Sequence, residues 1–483
     1  MKRLVKGSSV LTLVSMGEML VRLIRTKFFA LFLGPSGFGF IAQLSNFFET
    51  LRIFGDLGAR QAVIRQVAET LPSGGRQTQR YRDVLSSSFV IAFSASSLTM
   101  VIVMVFSSPV SRFLFGEAGY GHFLIVMACL LPMASITTVI ASVLKGNLEF
   151  SSYAKATLGA YAGLILATPF LLYRFGLWGA VALHGLFFLF PLIAYLILNL
   201  KEPFLLFSRK LQAHIIRYQF EDGTLQIYLT LVAQIIRVGI GIWIIQVLGL
   251  GSMGVYQMAL AFSTVYLAIP LQAMNGYSFP AIAAAGGPEE VNEVVNNSFR
   301  FVMFLLMPAI ILLMVFPEIF IQALFTEKFL VGTNTLRILL FYSLSVLFHS
   351  SFATALVAKR KLKVVYVVTA LHAALLFLLT VLLTADWQLE GIALAFAVSG
   401  VLLAAAFYTA ARHSLKIYFF PKNLRLIVLS GIWLAGAAAT GFMNAAWPWR
   451  AGVLVFAIPW FFIAAKSHEQ KFIFGKIISW WGK

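Results

Sequence analysis

Long apolar runs recur along this chain, and they leave it few ways to fold. Most runs hold roughly 18 to 25 residues, enough for a helix to cross a hydrocarbon core about 30 Å thick. They fall at approximately 8–33, 37–57, 83–106, 121–144, 156–173, 178–199, 222–248, 253–277, 299–316, 335–358, 364–384, 391–411, 425–443 and 451–465. No water is available inside a bilayer, so each crossing must satisfy its own backbone hydrogen bonds. Helices do this, and the runs are too long and too apolar for barrel strands. The expected fold class is therefore all-α, a polytopic membrane protein with about 14 transmembrane helices. Length alone would allow about three soluble domains, but composition overrules that: 60% of the 483 residues are hydrophobic and 11% are charged. Soluble domains carry about a quarter charged residues. The opening Met1-Lys2-Arg3 and its apolar stretch could pass for a signal peptide. It lacks a convincing small-residue cleavage site, and Glu18, Arg22 and Arg25 interrupt the run, so it reads as the first span.

A formal charge of +19 would suggest nucleic acid in a soluble chain. The placement of the charge argues otherwise. With the N-terminus inside, only Arg112, Arg174, Lys328 and Arg450 fall on the outer side, and Arg22, Arg25, Lys27, Arg52, Arg237 and Arg337 lie within spans or at their edges. All the rest of the 37 lysines and arginines fall inside. This is the positive-inside pattern, with both termini cytoplasmic and the basic face against anionic membrane lipid. Nucleic acid is not needed to explain it. The connections are short. The segment 58–82 contains Pro72-Ser73-Gly74-Gly75, and 278–298 reads as a short acidic helix with Glu289, Glu290 and Glu293, opened by Gly286-Gly287-Pro288. The basic, aromatic tail from Phe472 to Trp481 suits the headgroup layer. Cys129 is the single cysteine, so there is no disulfide framework, and HExxH, Walker A, GxSxG and paired CxxC motifs are all missing. No catalytic residue, metal site or cofactor is expected, and the chain is not read as an enzyme.

Internal similarity divides the spans. Leu33-Gly34-Pro35-Ser36-Gly37-Phe38-Gly39, between spans 1 and 2, aligns at an offset of 215 with Leu248-Gly249-Leu250-Gly251-Ser252-Met253-Gly254, between spans 7 and 8. Leu114-Phe115-Gly116-Glu117 recurs as Leu324-Phe325-Thr326-Glu327, and the opening of span 6 at Gly179 resembles that of span 12 at Gly391. Six spans per repeat is an even number, so the repeats run in the same direction, an organisation that places a substrate path between halves. The expected lobes are 1–217 (spans 1–6) and 218–412 (spans 7–12), around a central cavity. The remainder, 413–483, holds spans 13 and 14 and a cytoplasmic tail.

Four spans carry polar stripes at helical spacing: Thr12, Ser15, Glu18, Arg22 and Arg25 in span 1; Gln43, Asn46, Glu49, Arg52 and Asp56 in span 2; Gln226, Thr230, Gln234 and Arg237 in span 7; Gln257, Ser263, Thr264, Gln272 and Asn275 in span 8. A charge facing lipid at mid-depth costs at least about 2.5–3.5 kcal/mol, so these faces should meet water or partners. Arg22 and Arg237, equivalent under the offset, sit mid-span and either line the cavity or form ion pairs, with Glu18 the obvious partner of Arg22. Arg25 and Lys27 lie farther along, where snorkelling is open to them. Arg52, between Glu49 and Asp56, fits a structural pair as well as a substrate contact. Arg337 reads as bland. His184, His349 and His372 read as satisfied packing residues, and the phenylalanines as lipid-facing or core.

The repeat organisation, the Leu33–Gly39 turn and the stretch Phe47-Phe48-Glu49-Thr50-Leu51-Arg52-Ile53-Phe54-Gly55-Asp56-Leu57-Gly58 resemble bacterial polysaccharide flippases. These are the O-antigen-type translocases of the multidrug/oligosaccharidyl-lipid/polysaccharide exporter superfamily. The resemblance implies two six-helix lobes across a V-shaped cavity in the bacterial cytoplasmic (inner) membrane. It also implies an undecaprenyl-diphosphate-linked oligosaccharide as substrate, moved from inner to outer leaflet by alternating access. Arginines in helices 1 and 2 of related flippases are matched here by Arg22, Arg25 and Arg52, with Arg237 as the candidate in the second lobe. Guanidinium groups suit a diphosphate, and Gln43, Asn46, Gln234 and Gln257 could serve sugars. Glu18, Glu49 and Asp56 are candidates for ion coupling, and glycan polymerase machinery is a candidate partner. A multidrug/cation antiporter of the same architecture and a membrane-embedded glycan polymerase or ligase are the alternatives.

Overall fold

The structure is a computed structural model, and it describes residues 2–56, 59–198, 212–443 and 445–464. The aromatic tail lies outside them. Sixteen α-helices make up nearly all of the described chain, with no strand among the described residues. They are α1 (Lys2–Asp56), α2 (Ala59–Thr70), α3 (Gln79–Val105), α4 (Ser107–Phe115), α5 (Gly121–Cys129), α6 (Leu131–Gly146), α7 (Phe150–Leu198), α8 (Ala213–Leu260), α9 (Ala268–Ala284), α10 (Pro288–Val315), α11 (Pro317–Leu324), α12 (Thr333–Ala358), α13 (Leu362–Leu415), α14 (Pro421–Phe442), α15 (Trp447–Val455) and α16 (Ala457–Ala464). Among the described residues nine helical runs are long and apolar enough to cross a membrane, and Trp447–Ile463 adds a shorter apolar run. The chain is a multi-pass membrane protein. Leu166, Phe170 and Tyr173 on α7 and Leu371, Leu378 and Leu382 on α13 are exposed, as lipid-facing side chains should be.

Four of the longest helices are pairs joined at one non-helical residue: α1 at Gly34, α7 at Gly176, α8 at Gly249 and α13 at Gln388. All four residues have positive φ, a region that an L side chain enters at a cost of about 1 kcal/mol. Division at these residues leaves room for the fourteen segments expected. The Gly34 turn is followed directly by Pro35, which restarts a helix where a missing N–H is harmless. Close approach explains two more glycines. A Cβ at Gly179 would collide with the Leu171 carbonyl oxygen across the α7 turn. At Gly391 it would collide with the Leu383 carbonyl oxygen across the α13 turn, at the same spacing.

The chain packs as two compact units, Met1–Gln257 with Leu324–Lys328, and Met258–Ala323 with Phe329–Lys483. In the first unit the turns of α1 and α8 pack backbone to backbone. A Cβ at Gly39 would strike the Leu250 carbonyl, and one at Gly254 would strike the Pro35 carbonyl. The offset of 215 converts each contact into the other, so the contact is reciprocal, as at a two-fold interface. Phe325 of the short 324–328 segment packs edge-on against Phe38, with ring centroids 5.6 Å apart, and its carbonyl accepts from Lys27 Nζ. The amphipathic α2 buries Val63 and Val67 against α3 and α6, in one cluster with Tyr81, Leu85, Ile140 and Leu144.

The second unit contains two buried polar networks. Arg337, 1% exposed, donates to the Met314 carbonyl (3.3 Å), Asn334 Oδ1 (3.2 Å) and Glu318 Oε1 (2.9 Å), and Arg450 reaches Glu318 Oε2 at 3.4 Å. Asn292, Asn296 and Asn423 bind one another and the backbone at Tyr418 and Phe420, tying α10 to the start of α14. Two expectations change here. The acidic stretch is no separate short helix. Pro288 is the first residue of α10, Glu289 and Glu290 lie in its first turn, and the Glu290 carboxylate accepts from the Gly286 N–H at 2.8 Å. Negative charge at a helix N-terminus is favourable, so the acids start span 9. Span 8 is also irregular: between α8 and α9 lies a π-helical turn, Ala261–Tyr266, and the Ser263 carbonyl there accepts from Ser343 Oγ at 2.6 Å.

Candidate functional site

The polar stripes of α1 lie on two arms, one on either side of Gly34. On the first arm Arg22 turns back to Glu18, with Nη2 2.7 Å from Oε1. Both side chains are solvent-accessible, 60% and 35% exposed, as expected of an i,i+4 pair on an open face. Arg25, three residues on, is different: it is only 9% exposed. Its Cζ lies 5.3 Å from the centroid of the Phe29 ring and 5.6 Å from that of Phe187 on α7. Its Nε is buried without a partner, and among the described residues no carboxylate or hydrogen-bond acceptor is paired with this guanidinium. Snorkelling, which its position in the sequence allowed, is not what Arg25 does. Phe187 closes over it and keeps it inside the protein.

On the second arm Arg52 lies within a ring of partners. Its Nη1 is 2.9 Å from Glu49 Oε2, its Nη2 is 3.2 Å from Thr138 Oγ1 and 3.6 Å from Asp56 Oδ2, and its Cζ lies 4.9 Å from the Phe188 centroid. Asp56 is shared with Arg60 at 3.9 Å. The three acids considered for ion coupling, Glu18, Glu49 and Asp56, are thus all paired with arginines. Gln43 is fully buried and donates to the Val238 carbonyl on α8 at 3.1 Å, and a Cβ at Gly241 would collide with its Oε1. This makes it a strut between α1 and α8 and not a side chain open to a sugar. Asn46 is 6% exposed.

On α8, Gln234 is 8% exposed, whereas Arg237 is exposed and has no protein partner among the described residues. Gln257 is half-buried. The side chains of Thr12, Gln226 and Gln272 lie outside the described residues. Five of the eight residues proposed for substrate contact have a buried polar atom without a partner: Arg25 Nε, Gln43 Oε1, Asn46 Nδ2, Arg52 Nε and Gln257 Oε1. Buried polar atoms are ordinarily satisfied, and orphans call for a water, an ion or a ligand. All five belong to the first compact unit.

The sequence reading missed the aromatic side of this site. Phe29, Phe187 and Phe188 were indistinguishable from the other phenylalanines of the chain, 46 in all. A phenylalanine, Phe29, one turn after Arg25 was the only local signal. His184 packs edge-on against Phe48 at 5.4 Å, in keeping with a packing role. His349 packs too, stacked on Phe407 at 6.2 Å, and its Nδ1, like His372 Nε2, is buried without a partner. Among the described residues no group of His, Cys, Asp and Glu is placed to hold a metal ion.

The model of a family described as polysaccharide biosynthesis protein matches residues 28–334. No curated protein matches the chain in sequence. Among solved structures, the lipid II flippase MurJ in an inward closed conformation superposes with a TM-score of 0.70 at 14% identity, covering 97% of this chain and 99% of that one. An inward-facing multidrug resistance MATE family transporter of the MOP superfamily gives 0.70 at 13% identity, over 82% and 94% of the two chains. A MOP superfamily transporter from Pyrococcus furiosus, described as having a binding pocket of reverse polarity, gives 0.56 at 13%, over 85% and 93%. At these identities the likeness establishes the fold alone, one shared with these membrane transporters.

Proposed function

We propose, from the premise that this chain belongs to the polysaccharide biosynthesis protein family, that it is a flippase for an undecaprenyl-diphosphate-linked oligosaccharide. It moves this substrate from the inner to the outer leaflet of a bacterial cytoplasmic membrane by alternating access, with both termini cytoplasmic. Lobes 1–217 and 218–412 would rock about a central cavity, and glycan polymerase machinery would receive the product. One observation carries the reading: Arg25 is a buried cation with no anion beside it among the described residues. Leaving a guanidinium unpaired away from water is costly. A diphosphate supplies what is missing through charge-assisted hydrogen bonds. Arg237, exposed and without a partner among the described residues, and Arg22 and Arg52, each held by carboxylates, complete the basic lining. Asn46, Gln234 and Gln257 are assigned to the sugars, and the polyprenyl tail stays in lipid.

A cationic drug would be repelled by an unneutralised arginine, which disfavours the multidrug reading. Coupling to an ion gradient through Glu18, Glu49 or Asp56 is a separable part of the proposal. Transport that ignores imposed proton and sodium gradients would remove it. The main test is a leaflet-accessibility assay on the full chain in vesicles containing a fluorescent undecaprenyl-diphosphate disaccharide. Wild type should expose the probe to the opposite leaflet, and Arg25→Gln should not. Wild-type vesicles no faster than protein-free ones would sink the reading. Transport of a rhodamine-type cation in place of the glycan would establish the multidrug alternative.

A further inference from the structure

The arginines of α1 differ in what holds them. Glu18 holds Arg22, and Glu49 and Asp56 hold Arg52. A carboxylate positions an arginine and neutralises it in the same act. Arg25 is positioned by rings, at 5.3 Å from Phe29 and 5.6 Å from Phe187. Phe29 follows one helical turn later on the same arm, and Phe187 comes from α7. Phe187 is itself fixed: Tyr161 stacks on it at 5.7 Å and 16°, and Phe188 meets it edge-on at 5.2 Å and 88°.

A guanidinium has two kinds of surface. Its flat faces are attracted to the negative face of an aromatic ring, and its rim carries all five N–H donors. A ring therefore holds the cation without using a donor and without cancelling the charge. We propose that Phe187, together with Phe29, is the positioning element that clamps Arg25 by its faces and leaves its charged rim for the diphosphate of a lipid-linked substrate. The inference rests on the flippase reading above and adds to it the residues that present the arginine. The partnerless Nε belongs to that rim.

The test uses the full chain in lipid nanodiscs, titrated with farnesyl diphosphate, a lipid diphosphate without sugar. Phe187→Leu should weaken binding about fivefold, the size of a partly desolvated cation–π contact. Phe187→Tyr, which keeps the ring, should remain within about twofold of wild type. In an Arg25→Gln background, Phe187→Leu should add nothing. A ligand-free readout runs in parallel: Phe187→Leu should lower the thermal midpoint by a few degrees, and by less when Arg25 is replaced by Met. Wild-type affinity in Phe187→Leu, equal losses in Leu and Tyr variants, or additive losses with Arg25→Gln would each overturn the proposal. Wild-type protein that ignores farnesyl diphosphate while the thermal coupling persists overturns the substrate reading, and the positioning role with it. Binding without thermal coupling overturns the positioning role alone.

Discussion

Helices α1 and α8 share a backbone and differ in charge. Each reverses at a glycine, Gly34 or Gly249, and each places a second glycine, Gly39 or Gly254, against the carbonyl of the other's turn. The same offset of 215 that carries one contact onto the other pairs Glu18 with Ala233, Arg22 with Arg237, and Arg25 with Ile240. Ile240 is fully buried, so the position that holds an open cation in α1 is ordinary core in α8. Beyond the turns, Glu49, Arg52 and Asp56 correspond to Thr264, Leu267 and Leu271. The geometry common to both helices is what the fold requires. The charges peculiar to the first arm of α1, Glu18 and Arg25, are not needed for that geometry, since α8 achieves it without them. Of the two, Arg25 is the cation that no carboxylate pairs among the described residues.

The largest expected effect breaks what the helices share. Gly39→Val and Gly254→Val each drive a side chain into a backbone carbonyl that has nowhere to retreat, and each should destabilise the protein by about 3 kcal/mol in detergent unfolding. The two losses should match within about 1 kcal/mol; a large difference would mean that the contact is reciprocal in shape but not in energy. Next comes Arg25→Met, which acts on what they do not share. Removing a buried charge that has no partner leaves nothing orphaned, so stability should stay within about 1 kcal/mol of wild type or rise. Flipping should fall at least about tenfold, a loss of about 1.4 kcal/mol in substrate interaction. Unfolding of the variant comparable to the glycine variants would make Arg25 a structural residue. Arg237→Gln should leave stability unchanged and reduce flipping about threefold, because an exposed cation contributes through a screened field.

The shared part was the legible part. Turn glycines are visible in sequence because few residues accept positive φ, and the Leu-Gly pairs at Leu33 and Leu248 mark both turns. The second hairpin pair was legible through Gly179 and Gly391, yet its turn residues, Gly176 and Gln388, are not alike, and nothing in the sequence suggested a glutamine at φ 46°. The stripe on α1 was legible from helical spacing. Which of its arginines lacks a partner was not, because Phe187 comes from another helix and phenylalanine is the default filling of such a protein. Arg337 shows the opposite case. It reads as bland at a span end, and the structure places it in a network with Glu318, Asn334 and Arg450, where every stated contact is a structural one.

The smallest effect gives the sharpest test of the comparison. Glu18→Gln makes the first arm of α1 more like α8, since it leaves Arg22 as free of a carboxylate as Arg237 already is. The pair it breaks is half-open to solvent, and such pairs contribute about 0.3–0.5 kcal/mol, so unfolding should hardly register the change. If the lining serves an anion, freeing a second cation should leave flipping at wild-type levels or raise it slightly. Glu18 also stands among the carboxylates proposed for ion coupling, and that role predicts the reverse, a loss of gradient dependence or of transport. Flipping rates for Glu18→Gln, with and without an imposed proton gradient, therefore distinguish a carboxylate that merely restrains Arg22 from one that titrates. An unchanged rate that still responds to the gradient would move the coupling role to Glu49 or Asp56. Both of those surround Arg52, on the arm that α8 does not copy.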